Sequence, residues 1–149
     1  MSARKPVLMG LAAAFALFLA GCGSAGAAAP PDPATLKPVA GSSVQQVQLT
    51  GRAMQRIGLA TQPVQAVSGA GPTRTRRQLP YSAVVYDTDG STWVYVSTGN
   101  RTFVRERIAI AGIDGGTAFL TAGPAVGAQV VTVGAPELLG AEYDISGEE

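Results

Sequence analysis

One cysteine, Cys22, and no histidine decide which chemistries are open to this chain of 149 residues. Nucleophilic catalysis of the Ser-His-Asp or Cys-His kind needs an imidazole to carry the proton. A zinc site needs several Cys or His ligands at set spacings, and other transition metals favour the same donors. A lone thiol cannot staple its own chain. Paired carboxylates could work as acid and base, and Glu106, Asp114, Glu137 and Glu142 are the candidates, but no spacing brings two of them together. Asp87 and Asp89 in "DTDG" are conceivable calcium ligands, yet the loop lacks the further oxygen donors of an EF-hand. Asp and Gly in that order serve turn geometry instead. On this reading the chain is not an enzyme, and its catalytic, cofactor-binding and metal residues are none. A small solute- or ion-binding protein and an envelope hydrolase stay open as alternatives.

Charge excludes a further class. The formal net charge is +1, with 11 basic and 10 acidic residues, so no basic excess supports a nucleic-acid partner. Arg74, Arg76 and Arg77 form the one basic cluster, in "SGAGPTRTRRQ". It reads as a solvated loop, with anionic lipid or an acidic partner as the functional alternative.

What surrounds Cys22 gives the thiol a role. Arg4 and Lys5 form a positive start, and Val7 to Ala20 is an uncharged apolar run. As a helix that run spans roughly 21 Å, short of a bilayer's ~30 Å hydrocarbon core, and it fits the apolar region of an export signal. It ends in Leu19-Ala20-Gly21-Cys22, which resembles the lipobox of bacterial lipoproteins. The resemblance implies that Leu19, Ala20 and Gly21 are read by a signal peptidase. It further implies that the chain is cut before Cys22 and that Cys22 carries a covalent lipid. Two or three acyl chains anchor durably where one binds only marginally. The expected location is extracytoplasmic, lipid-anchored to the cell membrane. Cleavage would remove Arg4 and Lys5 and leave nine basic and ten acidic side chains.

The remaining elements divide into spacer and body. Residues 1–21 are expected as the signal peptide. Residues 22–43, rich in Ala, Gly and Pro, are expected as a flexible tether that cannot bury enough apolar surface to fold. Residues 44–145 are the body and 146–149 a frayed acidic tail. Thr50 is a helix N-cap before "GRAMQRI", Leu49 and Met54 form a hydrophobic staple, and Gly58 supplies the left-handed stop. "LATQPVQAV" reads as a strand that Pro63 confines to a sheet edge. "YSAVVYD" and "STWVYVS" flank a tight turn at Gly90, and both are apolar on two faces, as strands in a barrel, a sandwich centre or a covered interface are. In "TFVRERIAI", Val104, Ile108 and Ile110 share one face and Phe103, Arg105 and Arg107 the other. "IDGG" and "GPAVG" turn the chain into two more strands, and "GAPELLGAEY" reads as one short helical turn. Tyr86, Trp93, Tyr95 and Phe103 are expected in the core, with a docking patch as the alternative. The fold class is mainly β: a small antiparallel barrel or roll with one short N-terminal helix.

The body resembles the membrane-proximal domain of periplasmic adaptors, the membrane fusion proteins of tripartite RND-type efflux pumps. The residues that carry this are Pro80, Ser82 to Val85, Gly90, Trp93 to Val96 and Phe103 to Arg105, followed by "GPAVGAQVVTVGAPEL". "VQLTGRAMQRIGLATQPV" resembles the segment that opens the same domain. Pro124 stands where the family has Leu, and Ala128 where it has an acid. A full adaptor inserts a lipoyl-like domain, a long helical hairpin and a β-barrel between the opening and closing segments. Here only residues 68–78 fill that gap. The resemblance implies a small domain on a lipid tether with a transporter or another envelope protein as partner.

Overall fold

The structure, a computed structural model, describes residues 31–68 and 75–146. Leu19, Ala20, Gly21 and Cys22 lie outside the described residues, as does Arg74. The body is mainly β and antiparallel, as its turn-punctuated pattern implies. Strands β1 (Ala34–Pro38), β2 (Gln45–Leu49), β3 (Ala60–Pro63), β6 (Val85–Tyr86), β7 (Thr92–Gly99), β8 (Thr102–Arg107) and β11 (Gln129–Val133) make a seven-stranded sheet. Its order is β1-β2-β8-β7-β11-β3, with β6 beside β7. Strands β4 (Gln65–Ser68), β5 (Thr75–Pro80), β9 (Ala109–Asp114) and β10 (Thr117–Ala122) make a four-stranded sheet ordered β4-β5-β10-β9. Among the described residues neither sheet closes on itself, so the roll takes the form of a sandwich.

Alternation along β7 explains the layering. Successive side chains point to opposite faces. Val94 is buried with Leu79, Ile108, Ala118, Leu120 and Val130 in the core between the sheets. Tyr95, one residue on, is buried with Val47, Phe103, Val131 and Leu138 in a second core. That second core is roofed by helices α1 (Gly51–Arg56) and α2 (Ala135–Ser146). Strands apolar on both faces are therefore sheet-covered on one and helix-covered on the other.

The local signals act largely as expected. Thr50 Oγ1 accepts from Ala53 N at 3.1 Å and caps α1. Gly58 has φ +61, and Leu59 N returns to Met54 O at 3.0 Å to close the helix end. Gly90 has φ +79 in the β6–β7 turn. Edge strand β3 ends at Pro63, where a missing N–H breaks no ladder.

Four expectations need correction. Ala34–Pro38, expected within the tether, forms β1 and pairs with all of β2. Backbone bonds to a preformed edge, with Ala34 5% exposed against Leu49, hold a segment too poor in apolar surface to fold alone. "LATQPVQAV" is two strands: the chain leaves the large sheet at Val64 and enters the small one. Val64 is 1% exposed, its N bonds to Ala128 O, and its O accepts from Gly127 N. Thr75 to Gln78, expected as loop, lies within β5 and pairs with β4 and β10. The closing helical turn is in fact α2, twelve residues long against six in α1. It packs on β1, β2, β6 and β7. Pro136 sits in its first turn, where an N–H is unpaired anyway, and Glu137 suits the positive end of the helix. Gly134, φ +92, makes the entry possible: a Cβ there would lie 3.1 Å from Ile57 Cδ1.

Candidate functional site

The polar centre of the domain gathers five elements around one guanidinium. Arg105 on β8 lies opposite Tyr95 on β7, so both point toward α2. Arg105 Nη1 is 2.5 Å from Asp87 Oδ2, and Nε is 3.1 Å from Glu142 Oε1. The Nε contact is an ion pair without hydrogen-bond alignment, since that N–H is buried and aims at no acceptor. Trp93 and Tyr143 flank the guanidinium, with ring centres 4.9 and 5.8 Å from its carbon, a distance at which aromatic faces attract cations.

Glu142 is satisfied from several sides. Tyr95 Oη donates to Oε2 at 2.7 Å, and Gln45 N donates to Oε1 at 3.3 Å. Only 4% of its side chain is exposed, with 11% for Arg105 and 14% for Asp87. Burial costs the Arg105 cation, but the Glu142 charge and the Asp87 hydrogen bond outweigh that cost, and its pKa lies above the ordinary value. Burial, reinforced by the Glu142 bond, pushes the Tyr95 phenol far up, so it stays a neutral donor. Tyr143 and Thr88 N donate to Asp87 Oδ1. The Tyr143 hydroxyl first, then the Thr88 amide and Arg105, hold the Asp87 carboxyl down to about 2.

Both carboxylates of this cluster are engaged by Arg105 and by tyrosine hydroxyls, and the cluster works as a clamp: Arg105 ties the C-terminal half of α2 and the β6–β7 turn to the sheet. Acid should loosen it. The Asp87 carboxyl is depressed from 3.8 in the fold, so its contribution is present above about pH 4 and is lost as pH falls toward 2. We expect Asp87→Asn to lower the urea midpoint at pH 7, and the gap to wild type to close between pH 4 and pH 2. A gap that does not change with pH would show that the carboxylate charge contributes nothing.

The remaining candidates are scattered. Asp89 accepts from Ser91 N at 2.8 Å and from Ser91 Oγ at 2.5 Å, which makes it a turn residue. Among the described residues no group of three His, Cys, Asp or Glu could hold a metal ion. Glu106 is on β8, Asp114 ends β9, and Glu137 and Glu142 sit five residues apart on α2, so they share no face. Arg76 and Arg77 are neighbours on β5 and point to opposite faces, which divides the expected cluster; Arg77 lies near Glu106. Of the four aromatics expected in the core, Tyr95 and Phe103 are buried and Trp93 half-buried. Tyr86 is 51% exposed, because β6 has only two residues and turns it outward to meet Tyr81 Oη at 2.9 Å.

Arg105 was not legible as a clamp, since "FVRER" alternates like a solvent-facing pattern. A signal did exist in α2: Glu142 lies four residues beyond Leu138, on the same face as Ala135, so a carboxylate on an apolar stripe demanded a cation. Compared with models of known protein families the chain matches none, and no curated protein matches it.

Proposed function

We propose that this chain is a lipid-anchored, extracytoplasmic, non-enzymatic adaptor-like module that docks on an efflux-type membrane transporter or another envelope protein. The anchor is Cys22, read from the positive start, the apolar run and Leu19-Ala20-Gly21. The observation that carries the adaptor reading is how the opening and closing segments combine. Strand β2 pairs with β8, and β3 pairs with β11, so the two halves form one body with no inserted domain. Two of the stretches that carry the resemblance, Trp93 to Val96 and Phe103 to Arg105, meet across one strand pair, with Tyr95 opposite Arg105 and Val96 opposite Val104. A body of this kind, lacking the long hairpin, is a docking unit rather than a bridge to a second membrane.

Two measurements test the reading. Mass spectrometry of native protein should find a chain beginning at Cys22 with a diacylglyceryl thioether. An unmodified sulfhydryl with Met1 retained would remove the anchor. Cross-linking in native membranes followed by affinity capture should recover a transporter or envelope protein; recovery of neither would remove the docking role.

A further inference from the structure

The end of the domain at which the chain enters carries three exposed guanidiniums. Thr50 N bonds to Pro33 O at 3.0 Å, so the incoming chain lies beside the start of α1. Arg52 and Arg56 are exposed on that helix. Arg101, at the tip of the β7–β8 hairpin, reaches the same place: its carbonyl accepts from Leu49 N at 2.9 Å, and its Nη1 lies 3.5 Å from where a Gly51 Cβ would be. Among the described residues no ion pair engages Arg52, Arg56 or Arg101. Beside these guanidiniums opens an apolar groove of about 200 Å³, lined by Pro33, Ala34, Leu49, Ile57 and Leu138, with Arg56 on its rim. Glu137 lines the same groove as Arg56, and Asp32 directly precedes Pro33 in the sequence.

The hairpin tip adds an independent sign. Asn100 and Arg101 both have positive φ, +48 and +59, the geometry of a two-residue turn that favours Asn-Gly. An arginine in the second position holds a long side chain in a conformation that glycine adopts without cost. The turn fixes Arg101 at the exposed tip beside the start of α1. At the opposite end the carboxylates are matched, Asp87 by Arg105 and Asp89 by Arg107, so no basic excess competes there. Asp87 and Asp89 lie beyond the start of β7, and the eight residues of that strand place them more than roughly 23 Å from the tip.

From this we infer that the end built from the Asn100–Arg101 tip, α1 and Pro33 rests on the anionic headgroups of the leaflet that holds the anchor, with Arg52, Arg56 and Arg101 as its contacts. The inference rests on the Cys22 anchor of the proposed function. Chain length fits it. Eleven residues from Cys22 to Pro33 span at most about 40 Å, so the entry end is the part of the domain held within that reach of the anchor. Each basic side chain near an anionic surface strengthens binding roughly fivefold, and three together about a hundredfold. With the entry end on the headgroups, Tyr81, Tyr86 and Tyr143, gathered near Asp87 and the start of β7, point away from lipid.

The test uses protein purified from its own membranes and placed in vesicles of phosphatidylcholine, alone or with one third phosphatidylglycerol. A nitroxide is attached at Gln55→Cys, between Arg52 and Arg56, or at Thr88→Cys, at the far end. Collision with a water-soluble nickel complex reads exposure. On phosphatidylglycerol vesicles the position 55 label should lose most of its exposure while the position 88 label keeps its own. The loss should vanish on pure phosphatidylcholine, at about 1 M salt where screening reaches only ~3 Å, and in R52Q/R56Q/R101Q. Equal exposure of position 55 on both lipids, or protection that survives the triple substitution, overturns the inference. Cross-linking of position 55 to an acidic protein in native membranes, without protection on vesicles, overturns it in favour of that partner. Failure of the anchor is separately visible, because an unlipidated Cys22 would take a second label. Vesicle binding of that chain, abolished by the triple substitution, would still uphold the basic surface, and no binding would overturn it.

Discussion

Arg105→Met should destabilise the domain by about 3–5 kcal/mol, the usual cost of removing one partner from a buried ion pair. The variant leaves Glu142, 4% exposed, with Tyr95 Oη and Gln45 N but without its cation. Asp87 and Tyr143 also lose the guanidinium that each of them contacts. Against a total stability of 5–15 kcal/mol typical of such domains, that loss is large. It would appear in urea unfolding as a lower midpoint at unchanged slope. The double variant R105M/E142M is the control, because replacing both charges with apolar groups of similar size is often neutral. We expect the double variant to regain most of the loss. If it is as unstable as the two single losses added together, Arg105 and Glu142 are not coupled and the clamp does not exist.

The second large effect is Phe103→Ala. Phe103 is 2% exposed and lies opposite Val47 on β2 and Ser97 on β7. It packs in the core under the helices with Leu49, Tyr95, Val131 and Leu138. Removing a buried ring costs about 3–5 kcal/mol through lost transfer energy and the cavity left behind. Phe103→Leu, which keeps most of the volume, should cost less than about 1.5 kcal/mol. Calorimetric or urea unfolding distinguishes them. Similar small losses for both would mean that this core tolerates a void and that the helices, rather than the ring, seal it.

Local order was legible where one short-range rule governed. Thr50, Gly58 and Gly90 each carry a backbone requirement that neighbouring residues reveal, and the structure has them as the sequence implies. The antiparallel, mainly β class followed from short alternating runs between glycine-rich turns. What the sequence did not disclose depends on partners distant along the chain. Ala34–Pro38 looks like spacer because its strand character comes from β2, not from itself. Val64 changes sheets because Ala128 and Gly127 meet it, and nothing in "QPVQ" announces that exchange. The clamp joins residues 87, 95, 105 and 142, so no window of sequence contains it. Glu142 stood out only as one of four carboxylates that no spacing brings together, and the fold supplies it a counter-ion from β8.

Strand β11 reaches both cores: Val130 is fully buried between the sheets and Val131 is fully buried beneath the helices. It lies between β7 and β3, and it is the last strand along the chain. Neither hydrophobic centre can close until nearly the whole polypeptide has been delivered. Contacts this far apart along the chain slow folding, since the loop entropy is spent before they form. A chain delivered from its N-terminus therefore stays an open string until β11 arrives, and the two cores set together in one event.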